Sequence, residues 1–390
     1  MSALVQYEPF VDNTTRLFLD QTERLFVTKP DVCDFTTWLQ FYAFDVIGEI
    51  TYSKRHGFLE KNEDVEGIVS YLGNLFLYVA PVGQIPFLDL IFLKNPIYLK
   101  LSQWGLVDST FPVARFARAR MAERLIPELK SQSVLPVASL QKQKQAHHQQ
   151  PDLLSKFIAA REARPEFMTD SLVQTMAVSM AFAGSETTAI SLASTFYYLL
   201  RNPACYEKLR EEIDEFGRRG GFSDYESGLV TFAEAQKLPY LHACIQEAFR
   251  MHPAAGLPLE RIVPPQGADI AGRFVKGGTI VGCSAWVIHR RPEIFGRDAD
   301  IYRPERWLPQ PGMDPETEAR RIKEMNGMMF QFGMGSRTCI GKNISLLEIY
   351  KVVPSLLRRF DVRFYPVSLP FSAAVLRPRP GKDIVVLTCS

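Results

Sequence analysis

Apolar residues recur every three or four positions along most of the first two thirds of the chain, and that spacing predicts helices. Val11 to Phe26 and Trp38 to Ile50 read as two such segments. A long helix is predicted from about Thr169 to Leu200, another from Pro203 to Phe216, and a third from Tyr240 to Met251, with Pro253 setting its end. The most apolar stretch, Leu72 to Leu93, reads LGNLFLYVAPVGQIPFLDLIFL. Pro81, Gly83, Pro86 and Asp89 interrupt it, which predicts a core or membrane-surface segment rather than a span. Between Gly267 and Ser284 the pattern changes: IAGRFVKGGTIVGC alternates, and its Gly-Gly predicts the turn of a short hairpin. Phe364 to Thr388 reads as loops and short strands. Ser139 to Pro151, filled mostly by LQKQKQAHHQQ, reads as a polar surface loop whose His147 and His148 are solvated rather than metal-bound. The expected fold class is mainly α with minor β-sheets toward the C-terminal side. No repeat or linker divides the chain, so residues 1–390 are read as a single domain.

Composition narrows the function. The 390 residues can bury a sizeable core, and 45 Lys and Arg nearly balance 43 Asp and Glu. A net charge of +2 argues against a nucleic-acid partner. The 27 Phe and 14 Tyr point to apolar interiors or apolar ligands. Cys33, Cys205, Cys244, Cys283, Cys339 and Cys389 are scattered without a CxxC pair, the usage of a reducing compartment. The N-terminal MSALVQYEPFVDNTTRLF is interrupted by Glu8, Asp12 and Arg16, so neither a signal peptide nor a membrane anchor is expected there.

The chemistry concentrates in FGMGSRTCIG, residues 332–341. Gly333 and Gly335 free the backbone to wrap closely around a neighbour. Cys339 precedes NISLLEIYKVV, which reads as a helix, and a helix N-terminus favours thiolate over thiol. A thiolate serves as a nucleophile or as a metal ligand. A nucleophile needs a base; the nearest histidine in sequence is His289, far upstream, and spatial neighbours stay open. Phe332 would cover an apolar cofactor face and Arg337 would offer a fork of donors to a carboxylate. One soft thiolate, a shielding aromatic and such an Arg describe the proximal side of a haem.

Phe332, Gly335, Arg337, Cys339 and Gly341 resemble the haem-binding signature of the cytochrome P450 superfamily, Phe-x-x-Gly-x-Arg-x-Cys-x-Gly. Three further segments agree in type and order. EAFR gives Glu247 and Arg250, similar to the family's Glu-x-x-Arg pair. YRPERW gives Pro304, Glu305, Arg306 and Trp307, resembling the segment whose Arg completes that pair. AGSETT gives Ala183, Gly184, Glu186, Thr187 and Thr188, similar to the oxygen-activation segment. The early helical text looks most like the filamentous-fungal branch that includes pisatin demethylase.

The resemblance implies the cytochrome P450 fold, haem b as cofactor and Cys339 as the axial ligand of its iron. It implies that Phe332, Arg337, Gly341 and Arg261 hold the haem, Arg261 by a propionate. Glu247, Arg250 and Arg306 would form a buried structural network. Gly184 with two threonines is poor helix sequence, so a distorted helix is expected, with Glu186 and Thr187 as an acid–alcohol pair relaying protons. Val178, Phe182, Ala183, Ala255, Leu257 and Phe371 would face a hydrophobic small-molecule substrate. The implied reaction inserts one oxygen atom of O2 into that substrate, by hydroxylation or O-dealkylation. Electrons would come from NADPH through a flavoprotein reductase, and the enzyme would be a monomer.

The departures are as informative. Full-length relatives begin with an endoplasmic reticulum anchor, a small sheet and a helix carrying Trp-x-x-x-Arg, and none is found here. Trp286 and Arg290 spell that spacing in the wrong part of the chain and are read as a decoy. The expectation is therefore a chain lacking the N-terminal strands and first helices, cytosolic or peripheral to the membrane. Two classes stay open: a haem-thiolate monooxygenase, or a truncated, inactive remnant with weak or no haem binding. An isomerase or dehydratase of the same fold is the alternative among enzymes.

Overall fold

The computed structural model describes residues 5–28, 33–85, 87–92, 94–104, 112–131, 151–224, 226–364, 374–378 and 387–388. The polar run 139–150, with His147 and His148, and Phe371 lie outside the described residues. In chain order the longer helices are α1 (Glu8–Thr22), α2 (Phe35–Tyr52), α3 (Ile68–Gln84), α4 (Phe87–Ile91), α5 (Pro96–Gln103), α6 (Pro112–Ser131), α7 (Leu153–Ala163), α8 (Asp170–Arg201), α9 (Pro203–Arg218), α10 (Pro239–Met251), α11 (Pro315–Gly327) and α12 (Lys342–Arg359). The strands are β1 (Cys33–Asp34), β2 (Leu259–Ile262), β3 (Ala268–Ile270), β4 (Arg273–Val275), β5 (Ile280–Cys283), β6 (Phe360–Phe364), β7 (Ala374–Pro378) and β8 (Leu387–Thr388). They pair two by two, β1 with β8 in parallel and β2–β5, β3–β4 and β6–β7 antiparallel. The chain divides into two compact units, residues 1–43 with 184–390, and residues 44–183.

The helix boundaries follow local chemistry. Proline stands in the first turn of α1, α9, α10 and α11, where its missing N–H would be unpaired anyway. Asp314 adds a side-chain cap to α11 by accepting from the Thr317 N–H at 2.9 Å. The buried face of α9 is Tyr206, Leu209 and Ile213, one residue per turn. The 32-residue α8 is about 48 Å long at 1.5 Å per residue.

In the first unit, α1 packs on α12 through charge as well as apolar surface. Lys351 of α12 is fully buried, and its Nζ meets Glu8 Oε1 at 2.6 Å, Asp12 Oδ1 at 2.8 Å and the Val230 carbonyl at 3.0 Å. Arg359 adds Asp20 at 2.8 Å and Glu23. Trp38 stacks on Phe18 with ring centres 5.6 Å apart, and its Nε1 donates to Thr22 Oγ1 at 2.8 Å. The second unit has its own aromatic core of Phe44, Phe58, His56 and Phe116.

Two expectations are corrected. The Gly277–Gly278 turn does not close a hairpin. β3 and β4 turn at Ala271 and Gly272, both with positive φ (54° and 77°), and β5 leaves to pair with β2. Two successive left-handed residues suit the twist of a two-residue hairpin loop, which the Gly-Gly pair does not provide. Of the two alternatives read for the apolar stretch beginning at Leu72, core or membrane surface, the core one does not hold. Its helix α3 runs through Pro81, and only Ile68 and Leu72 of it are buried, while Leu77 is 77% exposed. Val65–Gln84 is long and apolar enough to cross a membrane by length and composition, with a mean hydropathy of 1.4.

Candidate active site

Glu247 and Arg250 sit one turn apart on α10, both fully buried. Arg250 Nε donates to Glu247 Oε2 and Nη2 to Oε1, each at 2.8 Å, a bidentate fork. Arg306, in the helical turn Pro304–Trp307, donates from Nε to Glu247 Oε1 at 2.9 Å, and Trp307 Nε1 donates to Oε2 at 2.9 Å. The remaining donors reach backbone carbonyls: Arg250 Nη1 to His289 at 2.8 Å, Arg306 Nη2 to Asp298 at 3.0 Å and to Ile301 at 3.1 Å. Asp298 supplies a second carboxylate, 3.1 Å from Arg306 Nη1 and 2.8 Å from Arg303 Nε. Glu247, Arg250 and Arg306 thus meet in one buried network that ties α10 to the segment 295–307.

That segment leads, through α11, to the Cys339 loop. The Cys339 N–H donates to the Phe332 carbonyl at 2.8 Å, closing the loop at its base. Gly333 and Gly335 take φ of 67° and 68°, values a side chain would strain. Gly341 caps α12, so Cys339 lies just before the helix N-terminus. A Cβ at Gly341 would stand 3.8 Å from Cys339 Sγ, so glycine there keeps the space beside the sulfur open. Phe332 is half-buried, edge-on to Phe249 with centres 5.5 Å apart, and Lys342 Nζ stands 5.6 Å from its ring centre. Met334, Arg337, Cys339 and Ile340 are exposed, Ile340 by 79%.

This donor chemistry fits a haem. Among the described residues no group of three or more His, Cys, Asp or Glu could hold a metal ion. An exposed lone thiol, with room beside it and apolar neighbours, suits the axial position of a macrocycle that brings its own nitrogen ligands. The alternative of a Cys–His nucleophile with His289 fails. His289 Nε2 accepts from the Phe330 N–H at 2.7 Å and Nδ1 faces the Arg250 carbonyl at 3.2 Å, so both ring nitrogens are committed.

Glu186 and Thr187 lie on α8, and the expected distortion is absent: the helix is continuous through AGSETT. Burial of Ser185, Thr188 and Ala189 holds this poor helix sequence in place. Ser191 Oγ also donates back to the Thr187 carbonyl at 2.8 Å. Glu186 accepts a hydrogen bond from Gln40 Nε2; burial pushes its carboxyl above the ordinary 4.5, and the Gln40 bond opposes that rise. Thr187 is exposed, and as its direct chain neighbour points about 100° around the helix. Thr188 Oγ1 donates to Ser345 Oγ at 3.1 Å, joining α8 to the helix that follows Cys339.

Arg261 is exposed on β2 and donates to the Glu260 carbonyl. Ala255 and Leu257 are exposed in the loop before β2. Val178 and Phe182, half-buried, and the exposed Ala183 belong to the second unit, where Phe182 stacks on Phe76 at 6.0 Å. Arg290 lies over the Trp286 ring at 3.9 Å and donates to the Met251 carbonyl at 2.8 Å. Sequence reasoning missed Gln40 and Ser345 and named Trp307 and His289 without their contacts; each meets its partner across tens of residues or more.

Residues 1–383 match the family model described as Cytochrome P450. The chain is 42% identical over 362 residues to a cytochrome P450 monooxygenase of Aspergillus terreus, covering 93% of this chain and 68% of that protein. It is 41% identical to cytochrome P450 monooxygenase cicH of Emericella nidulans (93% and 66% covered) and 35% identical to pisatin demethylase of Fusarium vanettenii (93% and 63%). It thus spans about two thirds of the length of these curated fungal relatives. The crystal structure of a cytochrome P450 (CYP102L1) overlays with a TM-score of 0.69 at 20% identity, covering 99% of this chain and 75% of that one, a likeness of fold. With the Cys339 loop and the buried Glu247–Arg250–Arg306 network on one frame, the match over nearly the whole length places the chain in the cytochrome P450 family.

Proposed function

We propose that this chain forms the catalytic part of a haem-thiolate monooxygenase. It would insert one oxygen atom from O2 into a hydrophobic small molecule, by hydroxylation or O-dealkylation. The observation that carries this reading is Cys339: an exposed thiol at the start of α12, with open space kept beside it by Gly341. Cys339 would ligate the iron, Phe332 would shield the ligand side, and Arg337 and Arg261 would pair with propionates. Bound haem supplies the reductive activation of O2, which no side chain can do.

The chain's own residues supply position and protons. The Glu186 carboxyl, raised by burial, holds a proton closer to neutral pH than a solvated glutamate does. Gln40 fixes Oε2, and because Thr187 points away around the helix, any proton passing between Glu186 and Thr187 would travel through water. The Phe332–Cys339 backbone bond sets where the sulfur stands. Electrons would arrive from an NADPH-dependent flavoprotein reductase docking at the exposed loop, where the exposed Lys342 stands over Phe332.

Haem reconstitution tests the ligand. The reduced carbon-monoxide adduct should show the red-shifted band of thiolate ligation, and Cys339→Ser should lose it. Its persistence in the variant, or its absence from the wild type, overturns the assignment. The partner is tested by Lys342→Glu, which should slow reductase-driven turnover most at low ionic strength and leave peroxide-driven turnover nearly unchanged. Equal loss in both assays would mean that Lys342 serves the site through Phe332 instead.

A further inference from the structure

His289 is fully buried at the end of a single helical turn, Ala285–Ile288, and nothing in the motif reading gave it a role. Besides its own N–H, which donates to the Ala285 carbonyl at 2.9 Å, three hydrogen bonds fix it. Its carbonyl accepts from Arg250 Nη1 at 2.8 Å, Nδ1 faces the Arg250 carbonyl at 3.2 Å, and Nε2 faces the Phe330 N–H at 2.7 Å. A backbone N–H only donates and a carbonyl only accepts, so the tautomer is determined. Nε2 carries the lone pair, and Nδ1 carries the proton it gives to Arg250. The ring therefore bridges two backbones: α10, which holds the Glu247 network, and the segment at Phe330 that enters the Cys339 loop. Two residues after Phe330, the Phe332 carbonyl accepts the Cys339 N–H at 2.8 Å.

We propose that His289 is a positioning residue for the Cys339 loop: through its Nε2 acceptor it fixes Phe330 against the Glu247–Arg250–Arg306 network and so sets where the Cys339 sulfur stands. The meaning of that position for ligation rests on the haem-thiolate reading above; the bridge itself does not. A histidine serving only as core filling would leave its ring nitrogens to whichever polar group was nearest. Here each nitrogen meets the one partner that its protonation allows, and the two partners belong to the two elements that must be held together. Burial, with Arg250 opposing a second positive charge, lowers the ring to about 4 and keeps it neutral as the bridge requires.

Two substitutions separate the halves of the bridge. In His289→Gln, Oε1 reaches the Nε2 position and still accepts from Phe330, but no donor remains for the Arg250 carbonyl. In His289→Asn, Nδ2 still donates to Arg250, but no acceptor remains for Phe330. Amide hydrogen exchange of the segment 330–339, followed by mass spectrometry on the chain without haem, is the first readout. It should speed up about tenfold in His289→Asn, the effect of one lost hydrogen bond, and stay within about threefold of wild type in His289→Gln. In the haem-loaded protein the red-shifted carbon-monoxide band should persist in His289→Gln and give way to the shorter-wavelength band in His289→Asn. Equal exchange in the two variants overturns the bridge. Should His289→Asn fail to fold, the wild-type imidazole nitrogen NMR signals decide, with His289 assigned by its loss in His289→Gln. A protonated Nδ1 and bare Nε2 support the bridge, and the reverse tautomer overturns it. A wild-type protein lacking the red-shifted band while the exchange pattern holds would sink the thiolate reading and leave the bridge standing.

Discussion

In the Glu247 network all three nitrogens of both guanidinium groups donate, and the carboxylate they share is fully buried with them. The Cys339 loop, in the same unit of the chain, is its opposite: Met334, Arg337, Cys339 and Ile340 face outward. Glu247 has its partners inside the chain, so its geometry is finished when the chain folds. Cys339 has a fixed backbone and an open side, the condition of a group whose partner comes from elsewhere. Position and chemistry are thus divided between two regions, and His289 joins the network to Phe330, where the chain enters the loop.

If that division is real, the two regions should differ sharply under mutation. The largest effect is expected from Glu247→Ala, which leaves Arg250 buried without its carboxylate partner and Arg306 with Asp298 alone. Breaking such a buried pair costs about 3–5 kcal/mol, to be measured by urea unfolding. A loss under 1 kcal/mol would break the comparison. Glu348 sharpens it. It is as buried as Glu247, yet its carboxylate oxygens have no hydrogen-bond partner among the described residues. Burial raises its pKa well above 4.5. The native state then holds the proton more tightly than the unfolded chain does. Stability is fully present below pH 4.5 and falls as pH rises toward the native value. Glu348→Leu should flatten that slope and gain about 1–3 kcal/mol at neutral pH, the cost of leaving a buried polar group unpaired. A destabilised, equally pH-dependent variant would mean that Glu348 is satisfied after all. The smallest effect is expected from Cys339→Ser, whose unfolding midpoint should stay within about 0.5 kcal/mol of wild type in the absence of haem, as exposed positions do.

What the sequence reveals depends on how far apart the interacting residues lie. α8, α9 and α10 end within two residues of their expected limits, because proline, caps and apolar spacing act locally. The Cys339 loop was legible because ten consecutive residues carry it. The strand pairing was not: β5 finds β2 across an intervening hairpin, and no turn signal encodes that choice. Gln40 reaches Glu186 from 146 residues away, and Thr188 reaches Ser345 from 157. AGSETT misled for the converse reason. Its local weakness as helix is real, but burial on α8 outweighs a propensity deficit of at most about 1 kcal/mol per residue. In α3 the apolar composition was plain, while its exposure was set by what does not pack on it.

The tie between α1 and α12 carries a consequence for biosynthesis. Glu8 and Asp12 are made more than 300 residues before Lys351, which neutralises them inside the fold. At about 5–20 residues per second, the wait is on the order of tens of seconds. Throughout it the apolar face of α1, with Phe10, Phe18 and Leu19, has no α12 to cover it, and its acids stay hydrated beside nascent chain. The helix that begins beside Cys339 therefore docks among the last, after the frame around it exists. The backbone that presents the Cys339 thiol is therefore completed only after α12 has closed over α1.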